Sequence, residues 1–183
     1  ADEALQALDA YRGRDAVALY KMMRRSFSRM YLVPGDKVPV FPYEGPFLFV
    51  SRGQQGHPSL FRNRAAVDVL RRMREADVVP EEQRGEPADS IWFELAFLSF
   101  AYANRLDALC RYGQFSDEER LWQGRAHAFV EAHGAPWMVA FMERTQAVAP
   151  QFEGSGVYSD LARLAQISLE SLFADAAHES KVI

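Results

Sequence analysis

Glu86-Pro87-Ala88-Asp89-Ser90 runs directly into Ile91-Trp92-Phe93-Glu94-Leu95-Ala96-Phe97-Leu98. A carboxylate, a proline and a second carboxylate before an apolar run are the chemistry of a helix start. Glu86 and Pro87 read as its cap and first position. The helix is expected to carry through Leu109 and to close at Arg111-Tyr112-Gly113. Ile91, Leu95, Leu98 and Tyr102 make one stripe, and Trp92, Phe93, Ala96 and Phe97 cover most of the remaining surface. A helix apolar nearly all round is either central and buried or offers a face to a partner.

The flanking sequence repeats the helical period. From Glu3 to Tyr31 the residues Leu5, Leu8, Val17, Tyr20, Met23, Phe27 and Met30 recur mostly at three and four, with Gly13 dividing two helices. Phe61 to Ala76 carries Ala66, Val67, Leu70 and Met73, with Arg62, Arg64, Arg71, Arg72 and Arg74 outward. Ser116-Asp117-Glu118-Glu119 is a capping box that opens a helix to Gly134. Pro136 starts the next helix, Pro150 ends it, and Gly154-Ser155-Gly156 turns into a last helix through Phe173. Residues 38–50, with Pro39, Pro42 and Pro46, read as an ordered aromatic loop, because that much proline suits neither a helix nor a central strand. No convincing β-alternation and no internal repeat interrupt this reading. The expected fold is an all-α, single-domain bundle of six or seven helices over residues 1–183, with a frayed tail at 176–183.

Composition narrows the function. At 49% hydrophobic residues the chain can bury one substantial core, and its net charge of −4 argues against gripping phosphate backbones, so no nucleic-acid partner is expected. The basic run from Lys21 to Arg29 is spread by helical spacing over a solvated face. Cys110 is the single cysteine, which excludes an intrachain disulfide and a paired-thiol centre and fits a reducing compartment. No apolar run approaches the roughly 20 residues that span a bilayer, so stable membrane insertion is not expected and the protein reads as cytoplasmic.

Catalytic signatures are missing. There is no phosphate-binding glycine loop and no Gly-x-Ser-x-Gly elbow, and no catalytic residue or cofactor is assigned. His127 and His133 are six apart, on different helix faces, so no metal site is assigned to them. What remains is recognition: Asp89 and Glu86 at a helix mouth, where exposed N–H groups favour negative charge, beside an excess of aromatic surface.

Four separated patches resemble one family. They are Leu19-Tyr20 with Phe27 and Pro34; Phe41-Pro42-Tyr43-Glu44-Gly45-Pro46-Phe47; Glu86-Pro87-Ala88-Asp89-Ser90; and Phe129-x-x-x-His133-x-x-Pro136-Trp137-x-x-x-Phe141 followed by Tyr158-x-x-Leu161-Ala162. Together they are similar to the TorD/DmsD/NarJ group of redox-enzyme maturation chaperones, all-helical cytoplasmic proteins that act on molybdenum-cofactor oxidoreductases. One departure stands out: the family's Glu-Pro-x-Asp-His signature has Ser90 in place of its His. A role that needs an imidazole cannot be carried over, whereas Ser can still cap a helix.

The resemblance implies a chaperone, not an enzyme, whose partner is the twin-arginine signal peptide and precursor of a molybdenum-cofactor oxidoreductase. The precursor is held for cofactor insertion before export. The implied peptide site comprises Tyr43, Phe47 and Phe93 as an apolar groove, Asp89 with Glu86 and Glu44 facing the arginines, and Pro87 and Ser90 within the signature. Asp89→Ala is expected to weaken peptide binding without unfolding the bundle. Pro136-Trp137 and His133 are assigned to structure, His133 as a helix-end cap. Two alternatives stand beside this reading: a NarJ-like assembly chaperone for a molybdoenzyme subunit that stays cytoplasmic, and a guanine-nucleotide-binding protein. The chain is expected as a monomer, or as a dimer formed by exchange of an element.

Overall fold

The computed structural model describes residues 2–33, 37–78 and 85–179, and these are all-α. Among them eight α-helices follow in order: α1 (Asp2–Asp9), α2 (Ala16–Tyr31), α3 (Glu44–Ser51), α4 (Arg64–Glu75), α5 (Ile91–Tyr112), α6 (Asp117–Phe129), α7 (Met138–Val148) and α8 (Gly156–Glu179). A π-helical turn, Val130–Gly134, extends α6. Strand pairing among the described residues is one isolated antiparallel bridge between Tyr43 and Ser90. None of the described helices is long and apolar enough to cross a membrane.

The chain divides into two compact units. The first, Ala1–Pro42 with Met138–Leu172, holds α1, α2, α7 and most of α8. Gly13 does separate α1 from α2, with a positive φ of 77°, and Asp15 caps α2 by accepting the Val17 and Ala18 N–H groups at 2.9 and 3.3 Å. Tyr31 anchors the core of this unit: its ring stacks on Phe141 at 6.0 Å, and its hydroxyl reaches Thr145 Oγ1 at 3.3 Å.

The second unit, Tyr43–Trp137 with Phe173–Ile183, holds α3 to α6. Its long axis is α5 packed along α6, where the fully buried Ala101 and Ala126 allow close approach and Phe97 meets Phe129 at 4.7 Å. Trp137 is fully buried, with its ring 5.6 Å from Phe47. Burying side chains of this size contributes roughly 1.5–3 kcal/mol each.

Three expectations are corrected. The aromatic segment is an irregular loop only as far as Tyr43, because α3 begins at Glu44. Pro46 occupies the first turn, where a backbone N–H has no intrahelical partner and its absence costs nothing. The central helix starts at Ile91 rather than Pro87, with Ser90 as its cap: the Ser90 hydroxyl accepts the Phe93 N–H at 3.4 Å. The tail expected to fray from 176 stays helical through Glu179, with Ala176 buried; 180–183 lie outside the described residues, as does most of the polar stretch after Val79.

Candidate functional site

The starts of three helices meet around Asp89. Tyr43, the residue before α3, offers no side-chain cap to it. Asp89 serves instead: its carbonyl accepts the Glu44 N–H at 2.9 Å and its Oδ2 accepts the Gly45 N–H at 3.0 Å. The same Oδ2 accepts Asn63 Nδ2 at 3.0 Å, while Asn63 Oδ1 caps α4 through the Ala66 N–H at 2.8 Å. The carboxylate is therefore fixed at the positive ends of α3 and α4, one residue ahead of the cap of α5. Gly45 is required by this closeness, because a Cβ there would stand 2.5 Å from Asn63 Cγ.

Asp89 is completely buried, and its Oδ1 has no hydrogen-bond partner. Burial raises its pKa, against the lowering effect of the Gly45 and Asn63 bonds. Its role is to clasp helix starts, so it does not face the surface as the sequence reading placed it. Glu44 and Ser90 are likewise buried, and Phe47 lies against Trp137 in the core.

Behind Asp89 runs a buried polar chain. His133 Nδ1 is 2.7 Å from Glu44 Oε2, and its Nε2 is 2.9 Å from Asp68 Oδ2. Both ring nitrogens face carboxylate oxygens, so both contacts are donations only when the ring carries two protons. His133 thus ties α3 to α4, and does not cap a helix end. The π-turn supplies the extra residue that points it inward. Burial of Asp68 would raise its carboxyl, but hydrogen bonds from Arg72, Arg71 and His133 outweigh this and hold it well below the usual carboxylate range. At the other end Trp137 Nε1 donates to Glu94 Oε2 at 2.9 Å. Burial first, and the Glu44 charge second, push the Glu94 carboxyl well above its ordinary value. Both effects favour the protonated form of Glu94 beside the Glu44 carboxylate, and its Oε1 is buried without a hydrogen-bond partner.

Glu44, Glu94 and His133 offer ligand atoms within 4.8 Å of one another, a set that chemistry would allow to hold a cation. The 2.7 Å between His133 and Glu44 is hydrogen-bond spacing, whereas two ligands about 2.0–2.2 Å from one tetrahedral ion stand roughly 3.3 Å apart or more. The geometry is that of shared protons.

The surface feature next to this chain is a groove of about 160 Å³ lined by Phe61, Ala66, Val67, Leu70, Glu86, Pro87, Ala88 and Phe93. Glu86, Pro87 and Phe93 are the three sequence-assigned residues that it brings together. Glu86 is hydrogen-bonded to Tyr43 and Trp92, and its Oε1 is buried without a partner. Burial raises its pKa; the bonds from Tyr43 and Trp92 oppose that, and the Asp89 charge adds to it. Tyr43, packed edge-on against Trp92 at 6.2 Å, is pushed up to about 12 by burial and by Glu86. Phe61, Val67 and Leu70 were missed. The buried residues of α4 and its cap are Ala66, Val69, Met73 and Ala76, a strict three-four-three spacing from which Val67, 65% exposed, departs. That departure was the available signal.

A family model described as nitrate reductase delta subunit matches residues 1–143. Searches of curated proteins and of solved structures find no match. The chain belongs to the nitrate reductase delta subunit family, a family of molybdoenzyme assembly chaperones whose partners are molybdoenzyme catalytic subunits.

Proposed function

We propose that this member of the family binds the N-terminal twin-arginine signal peptide of a molybdenum-cofactor oxidoreductase and holds the precursor until the cofactor is inserted, before export. The peptide site is the groove between α4 and the start of α5. An apolar side chain of the peptide enters between Phe61, Val67, Leu70 and Phe93, which line the cavity of about 160 Å³. An arginine of the peptide pairs with Glu86. The observation that carries this reading is that Glu86, whose Oε1 is buried without a partner, lines an apolar groove. A guanidinium supplies paired donors to such a carboxylate, and its charge favours the ionised form that burial disfavours. Asp89, Ser90 and Glu44 act one layer back by holding the helix starts that shape the groove, and Tyr43 orients Glu86. Phe47 supports Trp137 from the core.

Calorimetry with a twin-arginine peptide tests the assignment. Glu86→Gln is expected to weaken binding about tenfold, equivalent to ~1.4 kcal/mol, and to flatten its salt dependence. Equal affinity and equal salt slope for both proteins would sink it. The nitrate reductase delta match itself favours a second reading, assembly of a molybdoenzyme subunit without export. Co-purification distinguishes the two: a client retained when its two leader arginines are replaced by alanine belongs to the assembly reading.

A further inference from the structure

The arginine-rich face of α4 is not used by the groove. On that side a separate cleft of about 360 Å³ lies between α4 and α6, floored by Phe97 and edged by Leu121, which is 45% exposed. Three guanidinium groups, Arg72, Arg120 and Arg125, line it. Two are fixed by the protein. Arg72 binds Asp68 Oδ2 at 2.7 Å and the Ala128 carbonyl at 3.2 Å; Arg125 donates to the Glu75 carbonyl at 2.8 Å and lies over the Trp122 ring at 4.6 Å. Each retains further N–H donors. The one acid in the lining, Glu75, is already paired with Arg71. The cleft is thus locally positive on a chain whose net charge is −4.

Gly124 is the second observation. It lies inside α6 and lines the cleft, where glycine costs a helix about 1 kcal/mol relative to alanine. A Cβ there would meet nothing within 4 Å, in contrast to Gly45, where it would collide with Asn63. The fold itself gives Gly124 no steric reason. Gly124 and Arg120 also border a second cavity, of about 660 Å³, on the other flank of α6, whose Arg105, Glu119 and Glu179 are paired among themselves. Gly124 is therefore a low saddle between two hollows.

We infer that the α4–α6 cleft is a docking surface for an acidic protein segment carrying an apolar side chain, whose backbone crosses α6 at Gly124. The carboxylates of the segment meet Arg72, Arg120 and Arg125, and its apolar side chain packs on Phe97 and Leu121. This surface is distinct from the peptide groove and does not rest on that reading.

The test uses the whole chain and a 12-residue peptide of alternating Glu and Asp with one central Leu. Matched probes are the same peptide with Ser for Leu, a Lys version that keeps Leu, and tripolyphosphate. Binding is followed by the amide resonances of Gly124 and its neighbours. The acidic Leu peptide is expected to saturate, to weaken steeply with salt, and to bind at least tenfold more tightly than the Ser and Lys versions. Arg120→Glu, which breaks no bond among the described residues, and Gly124→Leu are each expected to reduce binding at least tenfold. Gly124→Ala is expected to raise Tm by ~2–4 °C while weakening the peptide. Tripolyphosphate binding as tightly as the peptide would make this a small-anion site. That result, no saturable binding of the acidic peptide, or unchanged binding by Gly124→Leu overturns the inference.

Discussion

Replacing Glu94 by glutamine tests the buried polar chain most directly. Glu94 is 0% exposed, accepts a hydrogen bond from Trp137 Nε1 at 2.9 Å and adjoins the Glu44 carboxylate. Its pKa is raised by burial and by the Glu44 charge, so the folded state holds a proton that the unfolded chain releases. The stability linked to that proton is fully present below the unfolded value of about 4.5 and is lost as pH rises through the folded value. Glutamine copies the protonated acid: its oxygen accepts from Trp137 and its amide donates to Glu44. The variant should match the parent near pH 4.5 and gain on it above, by up to ~1.4 kcal/mol for each pH unit until the folded pKa is reached. For a chain of this length one such unit corresponds to a Tm difference of about 3–6 °C. Other raised carboxyls, Asp89 and Glu86, tilt both proteins alike and largely cancel in the difference. Urea titrations at pH 5, 6, 7 and 8, followed by tryptophan fluorescence, give the comparison. A difference that stays flat with pH refutes the reasoning, because it would mean that Glu94 is ionised or bound by something an amide does not replace. Glu94→Leu is the control: it removes the carboxylate that accepts the Trp137 N–H, at a cost of about 1–3 kcal/mol at every pH.

Three further outcomes follow from the same geometry. His133→Gln can reach only one of Glu44 and Asp68, leaving a part-buried carboxylate contact unmade, so chemical denaturation should show a loss of ~1–3 kcal/mol. At Asp89 one oxygen accepts both side-chain bonds, so Asp89→Asn should lose less than ~1 kcal/mol, whereas Asp89→Ala uncaps α3 and releases Asn63 for about 2 kcal/mol; equal losses in thermal melts would refute the cap. Gly45→Ala puts a Cβ 2.5 Å from Asn63 Cγ and should cost ~1–3 kcal/mol by displacing the cap of α4, measured by the same melts.

The helical architecture was legible because it rests on local signals: a three-four apolar period, Ser116 as a cap, Gly113 with its positive φ of 84° after α5. Helix α3 departs from the expected loop because proline breaks a helix only in its interior, and Pro46 stands in the first turn, where an N–H has nothing to bond. At the proposed peptide site the sequence names the residues but not their partners. Asp89 looked like a surface acid at its own helix mouth, yet the N–H it caps belongs to Gly45, 44 residues earlier in the chain. No local pattern encodes that partnership. The Asp68–His133–Glu44 chain is equally non-local, joining residues 65 and 89 positions apart.

These long-range bonds change what the signature means in this chain. An acid next to greasy residues suggests a lure for arginine, but Asp89 is spent on holding α3 and α4 in register with α5. Glu86, three residues earlier, is the acid that lines the groove, and so the one proposed as the lure. Ser90 fits the same division. It is completely buried and caps its own helix, so an imidazole there would have to displace the neighbours that the clasp aligns. The buried imidazole of this unit is His133, which enters from the π-turn after α6 and reaches the clasp through Glu44. Exchange of His for Ser at position 90 therefore leaves the clasp intact, and a change at His133 or Asp89 should reach peptide affinity only through the stability and shape of the groove. Asp89→Asn separates the two effects: it removes the charge but keeps the cap, so unchanged peptide binding by that variant, alongside weakened binding by Glu86→Gln, is the pattern this arrangement requires.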